Sequence, residues 1–497
     1  LFHTNDKTGI HTLDNGEKHD IDTRMVTRGD GRPEHDYRIA ADLDFAKNHQ
    51  LSISYSGNYK KKGQHIEMTG MQTSLMDNLI KDILHNVHLD YTLPIGLNLG
   101  ADFTYYEDNV RQDMASALHG ERLSFITTSQ QRINRSKFFA REEHMLGKKA
   151  RVNYGMVYTH IIDHSRQDYV PTEDTTTDKL PSPLYSRRTE DILNIYGGGS
   201  MNLSDKLSAE FSLAAEHSKT TLWDEWDFYP TLSTTYIPSS GHMWQLSFST
   251  EKKYPEFWAV QNVTSYFGGQ YEHIVGNPAL KPSKEFSLSL VHVLHNKYMF
   301  RGWFSHTKDY FTQTMFQARD QLVEIDKFDN FDFYQNAGIM ISSPWKPAWW
   351  LDSRATVFGE WMRVKDSDYY DCPFDRNIAY AMLSANATFR FVRSHDLSLT
   401  INGFARTKSY QGPLDLPASG NLDLSLRYAF LSGNAILTLY CNDLFQTMMI
   451  TPKNHWAGQN LRCKYSCFRT VGLSFTYRFG GYKAKNREAV DTSRMKK

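Results

Sequence analysis

Long apolar runs are missing from this chain of 497 residues. The longest unbroken one is the six residues from Ile378 to Leu383, whereas a membrane-spanning helix needs about 20. The sequence therefore predicts no transmembrane helix. Excess charge of either sign is missing too. Its 56 basic residues balance 56 acidic ones, which removes the basic surplus expected of a nucleic-acid partner. Cysteine is scarce: Cys372, Cys441, Cys463 and Cys467 include no C-x-x-C pair. Free thiols are the plainer reading, and a Cys463–Cys467 disulfide stays open because spacing alone does not fix its geometry. The sequence contains no G-x-S-x-G, H-E-x-x-H or Walker-type loop, so it offers no catalytic residues, no metal ligands and no cofactor site, and reads as non-enzymatic. The pairs His160/His164 and His85/His88 and the acids Glu142–Glu143 and Asp224–Glu225 read as solvated polar groups. Mean hydropathy is −0.55, as in a soluble protein. A transmembrane β-barrel is just as polar on average, because only every second strand residue meets lipid.

What the chain has in quantity is aromatic residues, 13% of the total, and alternation. After the turn-rich "GNPALKP" (276–282), Phe286, Leu288, Leu290 and Leu294 fall on one side and Ser287, Ser289 and Val291 on the other. The same period of two runs through Val87, Leu89, Tyr91 and Leu93. It recurs through Leu422, Leu424, Leu426 and Tyr428 against Asp423, Ser425 and Arg427, and through Val471, Leu473, Phe475 and Tyr477. Segments of about ten residues with this period are amphipathic strands. One stretch, 73–84, has Leu75, Leu79 and Ile83 at helical spacing and predicts a short loop helix. Connections alternate between short polar turns (near 47–49, 94–96, 204–206, 296–297 and 432–434, among others) and long segments (61–84, 107–130, 163–189, 254–282). Short turns on one side and long loops on the other are the plan of an outer-membrane barrel. The count is about 19 strands; because that number is odd and bacterial single-chain barrels are even, it suggests an all-β transmembrane antiparallel barrel of about 22, with N-terminal strands upstream of Leu1.

Three motifs carry a family resemblance. "GNPALKP" resembles the extracellular turn of TonB-dependent outer-membrane receptors. "LYCNDLFQTM" (439–448) and the ending "LSFTYRFGGYKAKNREAVDTSRMKK" resemble the late strands and C-terminus of outer-membrane β-barrel proteins of Bacteroidota. The resemblance implies the C-terminal barrel portion of a receptor that binds and imports a scarce or bulky nutrient. It also implies outer-membrane lipid, a plug domain, the TonB complex and a surface lipoprotein as partners. No plug, TonB box or N-terminal regulatory-like domain is found within these residues. The alternative is a barrel without energy coupling, serving as adhesin, assembly partner or passive pore. Residues 1–35 are expected as an extracellular loop, 36–479 as the barrel, and 480–497 as a solvated periplasmic tail bearing Lys483, Lys485, Arg487, Arg494, Lys496 and Lys497.

Aromatic residues clustered with polar ones in the long loops are the candidate ligand contacts: Trp223, Trp226, Tyr229, Trp258, Tyr266 and Tyr271. Ring faces beside hydrogen-bonding groups suit stacking ligands such as sugars. Interfacial aromatic girdles and loop packing are the competing explanations.

Overall fold

The computed structural model describes residues 2–30, 33–46, 49–172, 175–393, 396–449, 451–466, 469–479 and 490–495. Their 27 strands form one sheet. Eight of these belong only to the long-loop end: Phe2–Thr12, Lys18–Gly29, Thr264–Tyr266, Glu272–Val275, Ser409–Gln411, Leu414–Leu416, Lys453–Asn454 and Leu461–Ser466. The other nineteen, from Glu34–Ala46 to Thr470–Tyr477, pair antiparallel in chain order and make the wall.

Most short turns fall where the sequence places them; residues 47–48 and 394–395 lie outside the described residues, and 344–348 is strand, with its turn at 349–350. One is closed by the Lys297 N–H donating to Leu294 O (3.0 Å). Its central residues His295 and Asn296 both have positive φ (54° and 52°), the primed geometry whose twist matches that of the strands it joins. At the other end the long segments are mostly strand. The expected helix at 73–84 lies inside the strand Gln72–Thr92, paired along its length with His49–Gly70. The reason lies in the spacing. Leu75, Leu79 and Ile83 step by four, which is one face of a helix and equally one face of a strand, and cross-strand pairing decides. The expected loops 61–84 and 107–130 likewise turn at tight tips, the second of them at His119 and Gly120.

The wall has two faces. On the strand Ala150–Pro171, Asp163 and Gln167 bond to Gln261 and Thr264 of a segment inside the ring. Odd residues there therefore face the lumen. The even Tyr154, Met156 and Tyr158 face out and are exposed. The same holds for Phe286, Leu288 and Leu290, and for Leu426 and Tyr428. Trp345, Trp349, Trp350 and Phe391 are exposed beside the short turns. A continuous outward apolar face is unfavourable in water; a lipid bilayer solvates it, with aromatic side chains at the interface.

The wall is uneven in height. Glu121–Leu146 has 26 residues and Ala150–Pro171 has 22, whereas Leu207–Lys219 has 13 and Ala435–Asn442 has 8. A tilted strand of some 22 residues stands about 55 Å tall, against an apolar band of about 25 Å. The tall strands thus project well beyond the membrane at the long-loop end.

The chain's two ends differ from expectation. Residues 2–29 form two strands rather than a loop. Lys18–Gly29 pairs with the tip of His49–Gly70, and Phe2–Thr12 pairs with Leu461–Ser466. These strands complete the ring above the membrane. Below them, Glu34–Ala46 and Thr470–Tyr477 each pair on one side only among the described residues, so the seam lies between the first and last wall strands. In the tail, Arg494 is not solvated: it pairs with Glu190 (2.8 Å), and Met495 is buried beside Tyr106, Ile133, Ile161 and Phe257. Lys483, Lys485, Arg487, Lys496 and Lys497 lie outside the described residues.

Candidate functional site

Residues 254–282 join a low part of the wall, the strand His242–Lys253, to Ser283–Leu294. Rather than looping outward, they fold across the lumen at the long-loop end. On one side they meet the tall wall. Arg188 donates to Val260 O (2.5 Å), Gln167 to Thr264 O (3.2 Å), Gln112 to Tyr266 O (3.1 Å), and Ser74 to Gly268 O. Tyr266 packs with Met68, Met76, Met114 and Phe125 in the largest apolar cluster. On the other side, Glu272–Val275 runs parallel to the start of the strand Glu324–Ala348.

The turn "GNPALKP" clasps this segment to the wall. Asn277 Nδ2 donates to Phe328 O (2.9 Å), while Asn330 accepts from Lys281 N (2.8 Å) and donates to Lys281 O (3.1 Å). Leu280 is fully buried. Glycine at 276 is a matter of space: a Cβ there would lie 2.0 Å from Gln261 O.

At the centre of the far side is a buried ionic group. Lys7 Nζ lies 2.6 Å from Glu272 Oε2 and 2.8 Å from Glu324 Oε1. It reaches them from Phe2–Thr12, so three distant stretches meet at one ammonium. Beside it the Tyr271 hydroxyl bonds to His11 Nδ1 (3.1 Å) and accepts from Gln317 Nε2 (3.2 Å), and His11 Nε2 bonds to Ala318 O (2.5 Å). The group stands beyond the apolar band. Burial pushes the Glu272 carboxyl up to about 8, aided by the neighbouring Glu324 carboxylate and opposed by Lys7. Burial alone would lower Lys7, but Glu272 and Glu324 outweigh it and hold the ammonium well above its ordinary range. With one cation between two carboxylates, a proton on Glu272 relieves the surplus negative charge. His273, next along, is lowered to about 4 by burial.

The structure scatters the six candidate aromatics. Tyr266 and Tyr271 are buried in the crossing segment, and Trp258 is half-buried there, edge-on to Phe328. Tyr229 is buried with its hydroxyl on Glu216 (3.3 Å). Trp226 is 53% exposed and shares its parity with Phe228, Leu232 and Tyr236, so it faces outward from one of the lowest hairpins, where a membrane girdle sits. Trp223 lies in the turn of that hairpin. Sequence reasoning missed Lys7, Glu324 and the inward path of 254–282. A buried lysine paired across hundreds of residues leaves no local pattern, and the only available signal was the "GNPALKP" turn. Cys463 is buried beside Lys7, whereas its suggested partner Cys467 lies outside the described residues. No group of three His, Cys, Asp or Glu side chains among the described residues is placed to hold a metal ion.

Comparison with known proteins points the same way as the architecture. Residues 92–477 match the model of the outer membrane protein beta-barrel family. No curated protein sequence matches. Among solved structures, the FrpB iron transporter from Neisseria meningitidis aligns with 96% of this chain and 81% of its own, at 12% identity and a TM-score of 0.52. P. aeruginosa FpvA bound to heterologous pyoverdines aligns with 95% of this chain and 71% of its own, at 10% identity and a TM-score of 0.55. The copper transporter OprC aligns with 96% and 80%, at 10% identity and a TM-score of 0.57. At such identities the likeness is one of fold. With an outward apolar face, sorted turns and a match across most of the wall, this chain belongs to the outer membrane protein beta-barrel family and resides in the outer membrane.

Proposed function

We propose that this chain is the barrel of a TonB-dependent receptor of the Bacteroidota type, which captures a scarce or bulky nutrient outside the cell and passes it through its lumen. The observation that carries this reading is the crossing segment 254–282. A passive pore keeps an aqueous path, whereas here the extracellular end of the lumen is spanned by a segment fixed to one wall by Arg188, Gln167 and Gln112 and to the other by Lys7–Glu272 and the contacts of Asn277 and Asn330. Passage then requires that segment to move, and movement requires energy or ligand. A plug domain, the TonB complex and a surface lipoprotein are the partners on this reading. Of the candidate aromatics, Trp223 and Trp258 are half-buried with the segment in place, Trp226 faces the membrane, and Tyr229, Tyr266 and Tyr271 become reachable only when the segment withdraws. No chemistry is done on the cargo.

Two measurements test it. Cells lacking the chain should lose growth on one limiting nutrient, and a protonophore should reproduce the loss. The purified protein in planar bilayers should conduct little. A large steady conductance, with uptake indifferent to the protonophore, would instead establish the passive-pore alternative.

A further inference from the structure

We propose that residues 490–495 are a tethered occupant of the lumen, held by a site that selects a guanidinium, and that this contact keeps the crossing segment in place. Arg494 makes a forked pair with Glu190, Nη1 to Oε2 at 2.8 Å and Nη2 to Oε1 at 3.2 Å. Its Nε donates to Pro255 O (2.9 Å), and its own carbonyl accepts from Phe257 N (3.1 Å). The guanidinium lies over the Phe257 ring at 4.1 Å and the Tyr254 ring at 5.0 Å. Met495 fills the apolar gap among Tyr106, Ile133, Ile161 and Phe257, and Asp491 pairs with Arg135 (3.1 Å).

Three demands meet at this one side chain: a two-pronged donor for a carboxylate, a third donor for a carbonyl, and a flat cationic face for an aromatic ring. A guanidinium meets all three, and an ammonium does not. With the tail in place Glu190 is 2% exposed, and a buried carboxylate that loses its paired cation is costly, so the site favours being filled. Pro255 and Phe257 open the crossing segment, and Glu190 stands on the strand Leu184–Ser204. The tail therefore ties the segment's first residues to the wall, opposite the Lys7 group that ties its far end. Cargo moving through the lumen must displace the tail. This consequence rests on the receptor reading; the binding itself does not.

The full-length R494A protein, checked for a folded barrel by heat-modifiable mobility, is titrated with a fluorescein-labelled peptide VDTSRM, and anisotropy is read. We expect binding at least tenfold tighter to R494A than to the wild-type protein, whose site is filled, and at least tenfold weaker binding of VDTSKM. E190Q on the R494A background should abolish binding. F257L on that background serves if the double variant fails to give the folded band, and it should weaken binding about tenfold. Equal binding to wild type and R494A, or equal binding of the arginine and lysine peptides, overturns the proposal. Loss of the receptor reading would show in the uptake assay and leave these titrations unchanged.

Discussion

Lys7 Nζ and Glu272 Oε2 stand 2.6 Å apart with both side chains buried, joining the first strand of the chain to the segment that crosses its lumen. Glu324 completes the group at 2.8 Å. Removing the cation leaves the buried Glu272 and Glu324 side chains without the partner they share. We expect Lys7→Met to destabilise the held segment by about 3–5 kcal/mol. The measurement is protease cleavage within 254–282, which should become fast in K7M while the wall strands stay protected. Unchanged cleavage would show that the group does not hold the segment.

The hold depends on pH in a defined direction. Glu272 keeps its proton up to about 8 when folded and releases it near 4.3 when free. The protonated folded form is thus favoured at low pH, and its contribution falls as pH rises between those values. His273 works oppositely. Lowered to about 4, it contributes above the ordinary histidine value and loses that contribution as pH drops from about 6.5 toward 4. Between about 4.3 and 6.5 the two slopes offset each other, so protection of 254–282 should be level there and fall as pH rises from about 6.5 to about 8. Glu272→Gln should remove that fall and leave a rise from about 4 to 6.5, whereas His273→Asn should let protection fall from about 4.3 upward. If both variants keep the wild-type profile, other groups control the segment.

The "GNPALKP" clasp gives a steric test. An alanine Cβ at 276 would meet Gln261 O at 2.0 Å and Trp258 O at 3.2 Å, both backbone atoms. Gly276→Ala should cost about 1–3 kcal/mol, read as a lower midpoint for segment release. Asn277→Ala removes its donation to Phe328 O and should cost about 1 kcal/mol. An alanine at 276 tolerated without any shift would contradict the close approach.

Facing along Ser419–Phe430 supplies the membrane test. Leu426 and Tyr428 are exposed on the outer face, and Leu424 shares their parity, while Asp423 accepts from Asp443 N (2.7 Å) on the other. An arginine at 424 should cost about 2–4 kcal/mol in the apolar band and block assembly into the membrane. Ser425→Arg should assemble almost normally, because that side of the wall faces the lumen. The heat-modifiable folded band in outer-membrane fractions decides, and equal yields of the two variants would refute the assignment.

The wall was legible because lipid imposes a rule on every second residue. Leu288 and Leu290 announce a strand by themselves, and the nineteen wall strands and their short turns follow. Beyond the apolar band water wets both faces and the rule lapses. Tyr59, Lys60, Lys61 and Lys62 show no alternation, yet they continue the strand His49–Gly70; such strand extensions therefore read as loops. The site was less legible for another reason. Tyr266 and Tyr271 look like exposed loop aromatics until Gln112, Gln72 and Glu324 are brought to them from other strands. Arg494 looked like one more basic tail residue because Glu190, its partner, is far away in sequence.

The pairing of Thr4 with Ser466 and of Gly9 with Leu461 sets an order of assembly. Neighbouring hairpins need only short loops to close, so they form early. Bringing the two ends of the sheet together carries the greatest loop-closure entropy in the molecule and comes last. Lys7 rides on that final strand. The crossing segment thus gains its ammonium partner only when the ring above the membrane shuts, so the event that closes that ring also secures the segment across it.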